Sequence, residues 1–230
     1  PVNVSDSTAR LSGGGRLEAT RIDVPADISS AAFFMVAASI TPGSDITLHH
    51  VGVNPTRIGV INILRQMGAK ISLTNEIEVG GEPVADIRVQ YAKLVGIEIP
   101  ESQVPLAIDE FPAIFIAAAC AQGETILTGA KELRVKESDR IQSMADGLNT
   151  LGIDAMATAD GIRIVGGEIG SGRVLSHHDH RIAMAFAIAG LRAQGEIIVE
   201  DCSNVATSFP DFIVCAASVG LVINTETVND

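Results

Sequence analysis

The chain is poor in aromatic residues and in positive charge. None of its 230 residues is Trp and one is Tyr, and 16 Lys and Arg stand against 28 Asp and Glu, for a formal net charge of −12. Nucleic-acid-binding surfaces combine a basic face with aromatic platforms on which bases stack. Both are missing here, so the composition argues against a nucleic-acid partner. An acidic protein that binds an anionic metabolite must gather its few cations in one place.

Long apolar runs and paired cysteines are missing as well. No apolar run approaches the roughly 20 residues that a membrane span needs, so no membrane partner is expected. The three cysteines are an odd number in apolar settings, which favours free thiols in a reducing compartment and a cytoplasmic location. Hydrophobic residues make up 47% of the chain, enough for a sizeable aliphatic core. Because the chain begins with Pro1 rather than Met, we expect it to be a piece of a longer polypeptide.

One pattern occurs three times along the chain. Each time an Asp precedes an Ala-rich apolar helix that ends near a Gly, and a short β-rich stretch follows. Asp27, Asp109 and Asp179 are each predicted to cap the start of such a helix. The predicted apolar helices are 27–43, 109–123 and 179–195, and a second helix follows each of them at 55–68, 136–152 and 209–220. Short strands are predicted at 20–25, 46–48, 70–73, 86–90, 97–99, 125–127, 161–165, 197–199 and 221–224.

The repeats predict an α/β fold of βαβαββ units. Helices that are hydrophobic nearly all round belong in the interior, so we expect buried helices inside and sheets outside them. The repeats are expected at about 21–105, 106–172 and 173–230. Residues 1–20 form a lead-in, in which Ser12 to Gly15 reads as a flexible turn.

Residues 133–140, Leu-Arg-Val-Lys-Glu-Ser-Asp-Arg, concentrate positive charge. They open an apolar periodicity that predicts a helix from Lys136 to Gly152, with Lys136, Glu137 and Arg140 projecting together from its start. Cations at a helix N-terminus are electrostatically misplaced unless an anion lies beside them. Two interpretations stay open: an anion site in which Glu137 acts as an acid or base, or a solvated first turn with a Glu137–Arg140 ion pair.

The run His177 to His180 resembles a set of metal ligands. Neighbours on a turn rarely point one way and no partner cluster is spaced for it, so we predict no metal site. Pseudo-symmetry should instead bring equivalent helix starts to one end of the fold. We therefore expect Asp109, the 136–140 cluster and residues 179–181 to converge, which favours the anion site.

The string Arg134 to Arg140, together with Asp179 to Met184, resembles the 5-enolpyruvylshikimate-3-phosphate (EPSP) synthase family. Further matches follow in the family's order: Asp27 before two serines, Ile108-Asp109-Glu110, and Thr207 to Pro210. The family fold is two barrel-like, inside-out α/β domains of three βαβαββ units each, in agreement with the repeats. By this resemblance residues 1–20 end the N-terminal domain, residues 21–230 form the C-terminal domain, and the rest of the N-terminal half is absent.

The resemblance implies a transferase of the shikimate pathway, which leads to chorismate and the aromatic amino acids. Such enzymes move the enolpyruvyl group of phosphoenolpyruvate to the 5-hydroxyl of shikimate 3-phosphate, and no cofactor is implied. Asp109 matches the carboxylate that holds the shikimate hydroxyls and is assigned as the base. Glu137 matches the residue assigned to proton transfer at the vinyl carbon, and Lys136 matches a ligand of shikimate 3-phosphate.

The phosphoenolpyruvate side of the family site is represented by cations. Arg140 and Arg181 match arginines that bind phosphoenolpyruvate, with His180 beside them, and Asp27 matches a residue near the interdomain hinge. The chain departs from the family before Ser208-Phe209-Pro210, where many members carry a Lys and this chain has none. No cation is assigned there.

Two other function classes stay open. A related carboxyvinyl transferase that acts on a nucleotide sugar would share the fold and the donor. Alternatively, the chain is a non-catalytic binding or assembly module, because half of the expected site is missing.

Overall fold

A computed structural model describes residues 2–16 and 18–226 of the chain. Its helices, in chain order, are α1 (Ile28–Ile40), α2 (Gly59–Gln66), α3 (Phe111–Ala119), α4 (Arg140–Thr150), α5 (His180–Ala189), α6 (Val205–Ser208) and α7 (Phe212–Ser218). Its strands are β1 (Val2–Ser5), β2 (Thr8–Leu11), β3 (Asp45–Gly52), β4 (Lys70–Val79), β5 (Glu82–Gln90), β6 (Glu124–Leu127), β7 (Asp154–Ala157), β8 (Ile162–Val165), β9 (Gly172–Leu175) and β10 (Ile197–Glu200).

The sheets repeat one topology twice and then vary it. The first has the order β3-β5-β4 and the second β6-β8-β7, and both are antiparallel with the last strand of the three in the middle. The third is the parallel pair β9-β10, and β1 and β2 form a separate hairpin. In β5 and β8 buried and partly exposed side chains largely alternate, as expected when one face covers a core.

Three apolar helices form the interior. Every residue of α1 except Ser30 is buried, all of α3 is buried, and α5 is buried over most of its length. The three helices contact one another pairwise, and small Ala side chains at such contacts let helix axes approach closely. The predicted fold class, with helices inside and sheets outside, is confirmed.

Two of the three predicted caps are present. The side chain of Asp27 accepts a hydrogen bond from the backbone N–H of Ser30 at 2.9 Å, and that of Asp179 accepts one from Arg181 N–H at 2.9 Å. Each bond satisfies a donor that a helix start leaves without an intrahelical partner. The capping prediction is therefore confirmed for α1 and α5.

The cap predicted at Asp109 is wrong. Glu110 holds the N-cap position of α3 and makes no side-chain capping bond, and Pro112 lies in the first turn. Residues 107–110 form a turn in which Glu110 N–H donates to the Ala107 carbonyl at 3.0 Å. This turn delays the helix and leaves the Asp109 carboxylate available for other partners.

The helix predicted from Lys136 begins four residues later. Lys131–Val135 form a 3₁₀ helix, and α4 starts at Arg140 after an N-cap at Asp139, whose carboxylate accepts from Gln142 N–H at 3.0 Å. Asp favours capping over a helix interior, and this local preference overrides the apolar periodicity. The helix ends at Thr150, two residues before its predicted end at Gly152, which has a φ of +83°.

Other boundaries moved as well. The second helices α2 and α7 are shorter than predicted, and α5 ends at Ala189, followed by a 3₁₀ turn. Residues 20–25 and 221–224 are not strands, and 97–99 forms only a bridge from Glu98 to Ile126. Four strands were not predicted: β1, β2, β7 and β9. Pro1 and Leu17 of the lead-in and residues 227–230 of the third repeat lie outside the described residues.

Helices long and apolar enough to cross a bilayer are not found in the part of the chain that the structure describes.

Gly147 marks the close approach of α4 to α5. A Cβ added at Gly147 would overlap the ring of Phe186, whereas one added at Gly190 would meet open space. Ala usually gains about 1 kcal/mol over Gly within a helix. We nevertheless expect Gly147→Ala to lower the free energy of unfolding by about 1–3 kcal/mol through overpacking.

The measurement is urea unfolding of both variants, with Gly190→Ala as the control. Gly190 lies just after α5 at a φ of −54°, which Ala adopts freely, so its replacement should leave stability unchanged or slightly raised. A Gly147→Ala variant as stable as Gly190→Ala would contradict this packing.

Candidate functional site

A completely buried arginine lies at the centre of the site. Arg140, the first residue of α4, has no exposed side-chain surface. Its Nε donates to Asp179 Oδ2 at 2.8 Å, Nη1 to Asp109 Oδ1 at 3.2 Å, and Nη2 to Glu137 Oε2 at 2.5 Å. A guanidinium stays protonated in proteins, so its burial requires carboxylates around it. These bonds tie together the starts of α3, α4 and α5.

Asp179 is the buried partner of this arginine. Besides Arg140 it binds the hydroxyl of Ser138, at 3.1 Å, and the backbone N–H of Arg181. Burial would raise the pKa of Asp179, but the hydrogen bond and charge of Arg140 outweigh it and hold that pKa below its ordinary value. Asp179, which was predicted as a helix cap, is therefore also the ionised carboxylate that balances the charge of Arg140.

Asp109 lies where three cations meet. Arg140 Nη1 and Lys136 Nζ approach its Oδ1 at 3.2 and 3.4 Å, and Arg181 Nη1 donates to its backbone carbonyl at 3.0 Å. Burial raises the pKa of Asp109, but the charges of Arg181, Lys136 and Arg140 outweigh it and lower the pKa overall. An ionised, partly exposed carboxylate of this kind is a strong acceptor for hydroxyl groups.

Lys136 and Glu137 form the solvent-facing side of the cluster. Lys136 Nζ bonds Glu132 Oε1 at 2.6 Å, a contact that raises the pKa of Lys136, although burial lowers it. The Glu137 side chain is 49% exposed, and Arg140 is its one hydrogen-bonding partner among the described residues. Both residues precede α4, so they stand on the approach to the helix rather than within its first turn.

His180 and Arg181 complete the site from the first turn of α5. Burial, and then the charge of Arg181, lower the pKa of His180 below its ordinary value, so the imidazole is neutral near pH 7. Arg181 is only partly buried. Its guanidinium faces the backbone of Asp109 rather than a carboxylate of its own.

The predicted convergence of these helix starts is therefore present. Its cations Lys136, Arg140 and Arg181 stand among four carboxylates, those of Asp109, Glu132, Glu137 and Asp179. The Glu137–Arg140 pair of the second interpretation is formed, yet around a fully buried guanidinium rather than in a solvated turn. An anion that binds Lys136 or Arg140 must compete with a carboxylate, whereas the Arg181 guanidinium bonds a backbone carbonyl.

Asp27 lies outside this cluster and belongs to a second network that the sequence did not reveal. Its carboxylate caps α1 and lies 3.8 Å from Arg57 Nη2. Arg57 in turn donates to the hydroxyl of Ser29, and that hydroxyl donates to the buried carboxylate of Glu110. The one signal in the sequence was a Glu directly before an apolar helix, beside Asp109.

Two regions contribute nothing to the site. Near the expected Lys, Thr207 and Ser208 are exposed, and Asn204 donates to the His178 carbonyl at 2.5 Å. A cavity of about 240 Å³, lined among others by Ile40, Cys120 and Arg192, lies beyond the C-terminal ends of α1 and α3. In the residues that the structure covers, no group of three His, Cys, Asp or Glu side chains is placed to hold a metal ion.

Comparison with known proteins shows which family the chain resembles. The family model of EPSP synthase (3-phosphoshikimate 1-carboxyvinyltransferase) matches residues 1–214. A 3-phosphoshikimate 1-carboxyvinyltransferase of Methylococcus capsulatus is 65% identical over 223 residues, which are 97% of this chain and 51% of that protein. The chain thus spans about half the length of the curated relatives it matches.

Solved structures give the same result. EPSP synthase from Acinetobacter baumannii superposes on this chain with a TM-score of 0.95 and is 56% identical to it. The superposed region covers 99% of this chain and 53% of the Acinetobacter chain. The enolpyruvyl transferase NikO from Streptomyces tendae shares the fold alone, with a TM-score of 0.56 and 16% identity over 88% of this chain and 44% of its own. On the family match and the 65% identity together, this chain belongs to the EPSP synthase family.

Proposed function

We propose that this chain supplies one half of the active site of a 3-phosphoshikimate 1-carboxyvinyltransferase. The whole enzyme would move the enolpyruvyl group of phosphoenolpyruvate to the 5-hydroxyl of shikimate 3-phosphate and release phosphate. The observation that carries the proposal is the convergence of Lys136, Arg140 and Arg181 on Asp109, with Glu137 bonded to Arg140 beside them. No cofactor or metal is part of it.

Asp109 would bind the shikimate ring. Its ionised carboxylate accepts hydrogen bonds from hydroxyls, and it would take the proton of the 5-hydroxyl as that oxygen attacks. The lowered pKa of Asp109 makes it a weak base while three cations surround it. Lys136 reaches the same oxygen as Arg140, so if it turned to the phosphate of shikimate 3-phosphate, the proton affinity of Asp109 would rise.

Glu137 would exchange a proton with the vinyl carbon of phosphoenolpyruvate. It would give a proton to that carbon when the hydroxyl adds, and take one back when phosphate leaves the tetrahedral intermediate. Its half-exposed carboxylate accepts a hydrogen bond from Arg140 Nη2 at 2.5 Å. A phosphoenolpyruvate anion that displaced Glu137 from Arg140 would free the carboxylate for this exchange.

Arg140 and Arg181 would hold the anionic groups of phosphoenolpyruvate, with His180 beside them. Arg181 is the more accessible of the two, since it bonds a backbone carbonyl and keeps guanidinium donors for a substrate. Arg140 has Asp179 as a permanent partner and can exchange only its outer contacts. A cation in place of the Lys missing before Ser208 would have to come from elsewhere.

The exposed apolar surface supports a partner half. Val2, Val4 and Leu11 of the β1–β2 hairpin and Ile22 and Val24 of the segment after it are 60–78% exposed. Apolar groups that cluster at a surface mark an interaction site. We propose that residues 1–20 belong with the N-terminal half of the enzyme, with Asp27 near the hinge, and that residues 21–230 form one domain of three repeats. The free thiols of all three cysteines fit a cytoplasmic location.

The half-site proposal predicts that the isolated chain releases no measurable phosphate from phosphoenolpyruvate and shikimate 3-phosphate. A chimera in which this chain replaces the matching half of the Methylococcus capsulatus relative should release it at a rate close to that of the relative, because both halves of the site are then present. The assay measures phosphate with shikimate 3-phosphate and, separately, with a nucleotide sugar. Full activity of the chain alone, or of the chimera only with the nucleotide sugar, would contradict the proposal.

The proton-transfer roles predict the effect of neutral isosteres in the chimera. Glu137→Gln and Asp109→Asn should each lower kcat by about 10²-fold or more, because an amide can neither give nor take the proton. Asp146→Asn is the matched control, since Asp146 is exposed on α4 and its carboxylate bonds only Gln142 among the described side chains. Near-native kcat for both test variants would refute the roles.

A further inference from the structure

Glu110 is a carboxylate that the fold buries without using it as a cap. It is 2% exposed, holds the N-cap position of α3, and makes no capping bond there. A buried carboxylate costs free energy unless hydrogen bonds or cations compensate it. Burial raises the pKa of Glu110, and the hydrogen bond that the Ser29 hydroxyl of α1 donates to Glu110 Oε1, with the charges of Arg181 and Arg57, offsets this only in part.

Ser29 joins this carboxylate to the surface. The residue is 3% exposed and lies in the first turn of α1. Its hydroxyl uses its one hydrogen on Glu110 and accepts from Arg57 Nη2 at 2.8 Å. Arg57 precedes α2 and lies 3.8 Å from Asp27, the residue that caps α1. One hydroxyl thus connects the starts of two central helices with the turn before α2.

Asp109 directly precedes Glu110. Its side chain makes no capping bond to α3 that would fix its position. Its position is set by the 107–110 turn and by the place of α3 against its neighbours. The cations that meet Asp109 come from α4, α5 and the segment before α4. The contact from Ser29 to the neighbouring Glu110 adds a tie to α1, which supplies none of those cations.

We infer that Glu110 and Ser29 are positioning residues for Asp109: the buried bond between them fixes the start of α3 against the start of α1 and so places the Asp109 carboxylate. Through Arg57 and Asp27 the same network reaches the segment that leads in from the β1–β2 hairpin. The catalytic consequence rests on the proposed function. The geometric consequence, the placement of Asp109 among its cations, does not.

The test compares two buried serines of α1 in the chimera. Ser29→Ala removes the hydroxyl between Glu110 and Arg57, whereas Ser39→Ala removes a hydroxyl that bonds only the Met35 carbonyl of the same helix. We expect Ser29→Ala to raise KM for shikimate 3-phosphate and lower kcat, each by about 5- to 10-fold, because a displaced carboxylate misplaces the hydroxyls that it binds. KM for phosphoenolpyruvate and the values for Ser39→Ala should stay unchanged.

A conservative variant separates positioning from charge. Glu110→Gln keeps an oxygen that can accept from Ser29, so it should retain kcat within about 3-fold, whereas Glu110→Ala should behave like Ser29→Ala. A purely structural role would instead lower the yield of folded enzyme and shift both KM values together. Equal kinetics for Ser29→Ala and Ser39→Ala would overturn the inference.

A chimera that is inactive with shikimate 3-phosphate would count against the proposed function alone. The positioning role of Ser29 and Glu110 is then tested by a measurement that does not depend on activity. The Asp109 carboxyl can be followed by ¹³C NMR as a function of pH, with its signal assigned from Asp109→Asn. In Ser29→Ala the pKa of Asp109 should rise toward its ordinary value as contacts with Lys136 and Arg140 loosen, and in Ser39→Ala it should not move. An identical Asp109 pKa in both variants would refute the positioning role.

Discussion

The structure of the site depends on the burial of the Arg140 guanidinium, which requires carboxylates around it. Arg140 is fully buried and stays protonated, so its burial is tolerable only with carboxylates in hydrogen-bonding contact. Asp179 at the start of α5, Asp109 before α3 and Glu137 before α4 provide them. Removing one member of such a buried set usually costs about 3–5 kcal/mol, since a charge is then left uncompensated. One side chain therefore holds three helix starts in register.

The same constraint shapes the chemistry. Asp109 and Asp179 have lowered pKa values, so their contribution to stability is fully present above the ordinary Asp value of 3.8 and is lost as the pH falls through the lowered values. Near neutral pH both are ionised. While no substrate is bound, carboxylates occupy both Lys136 and Arg140, and a substrate anion gains its contacts with Arg140 by exchanging with Glu137, the most exposed of that residue's three carboxylate partners.

The sequence predicted local features better than distant ones. The caps Asp27 and Asp179 and the end of α4 just before Gly152 follow from residue preferences over a few positions, and the structure has them. The start of α4 was misplaced because a local cap at Asp139 overrode the apolar periodicity. The Ser29–Glu110 bond spans 81 positions, and the Asp179 contact of Arg140 spans 39. No local pattern encodes such pairs, since the fold alone brings them together.

The Arg140–Asp179 pair is tested most directly by a double-mutant cycle. Urea unfolding of this chain would compare Arg140→Met, Asp179→Asn and the double variant with the unchanged chain. If the pair compensates buried charge, each single change should lower the free energy of unfolding by about 3–5 kcal/mol. The loss in the double variant should then be smaller than the sum of the two single losses by at least about 2 kcal/mol. Strictly additive losses would show that the two residues act separately and would contradict the account.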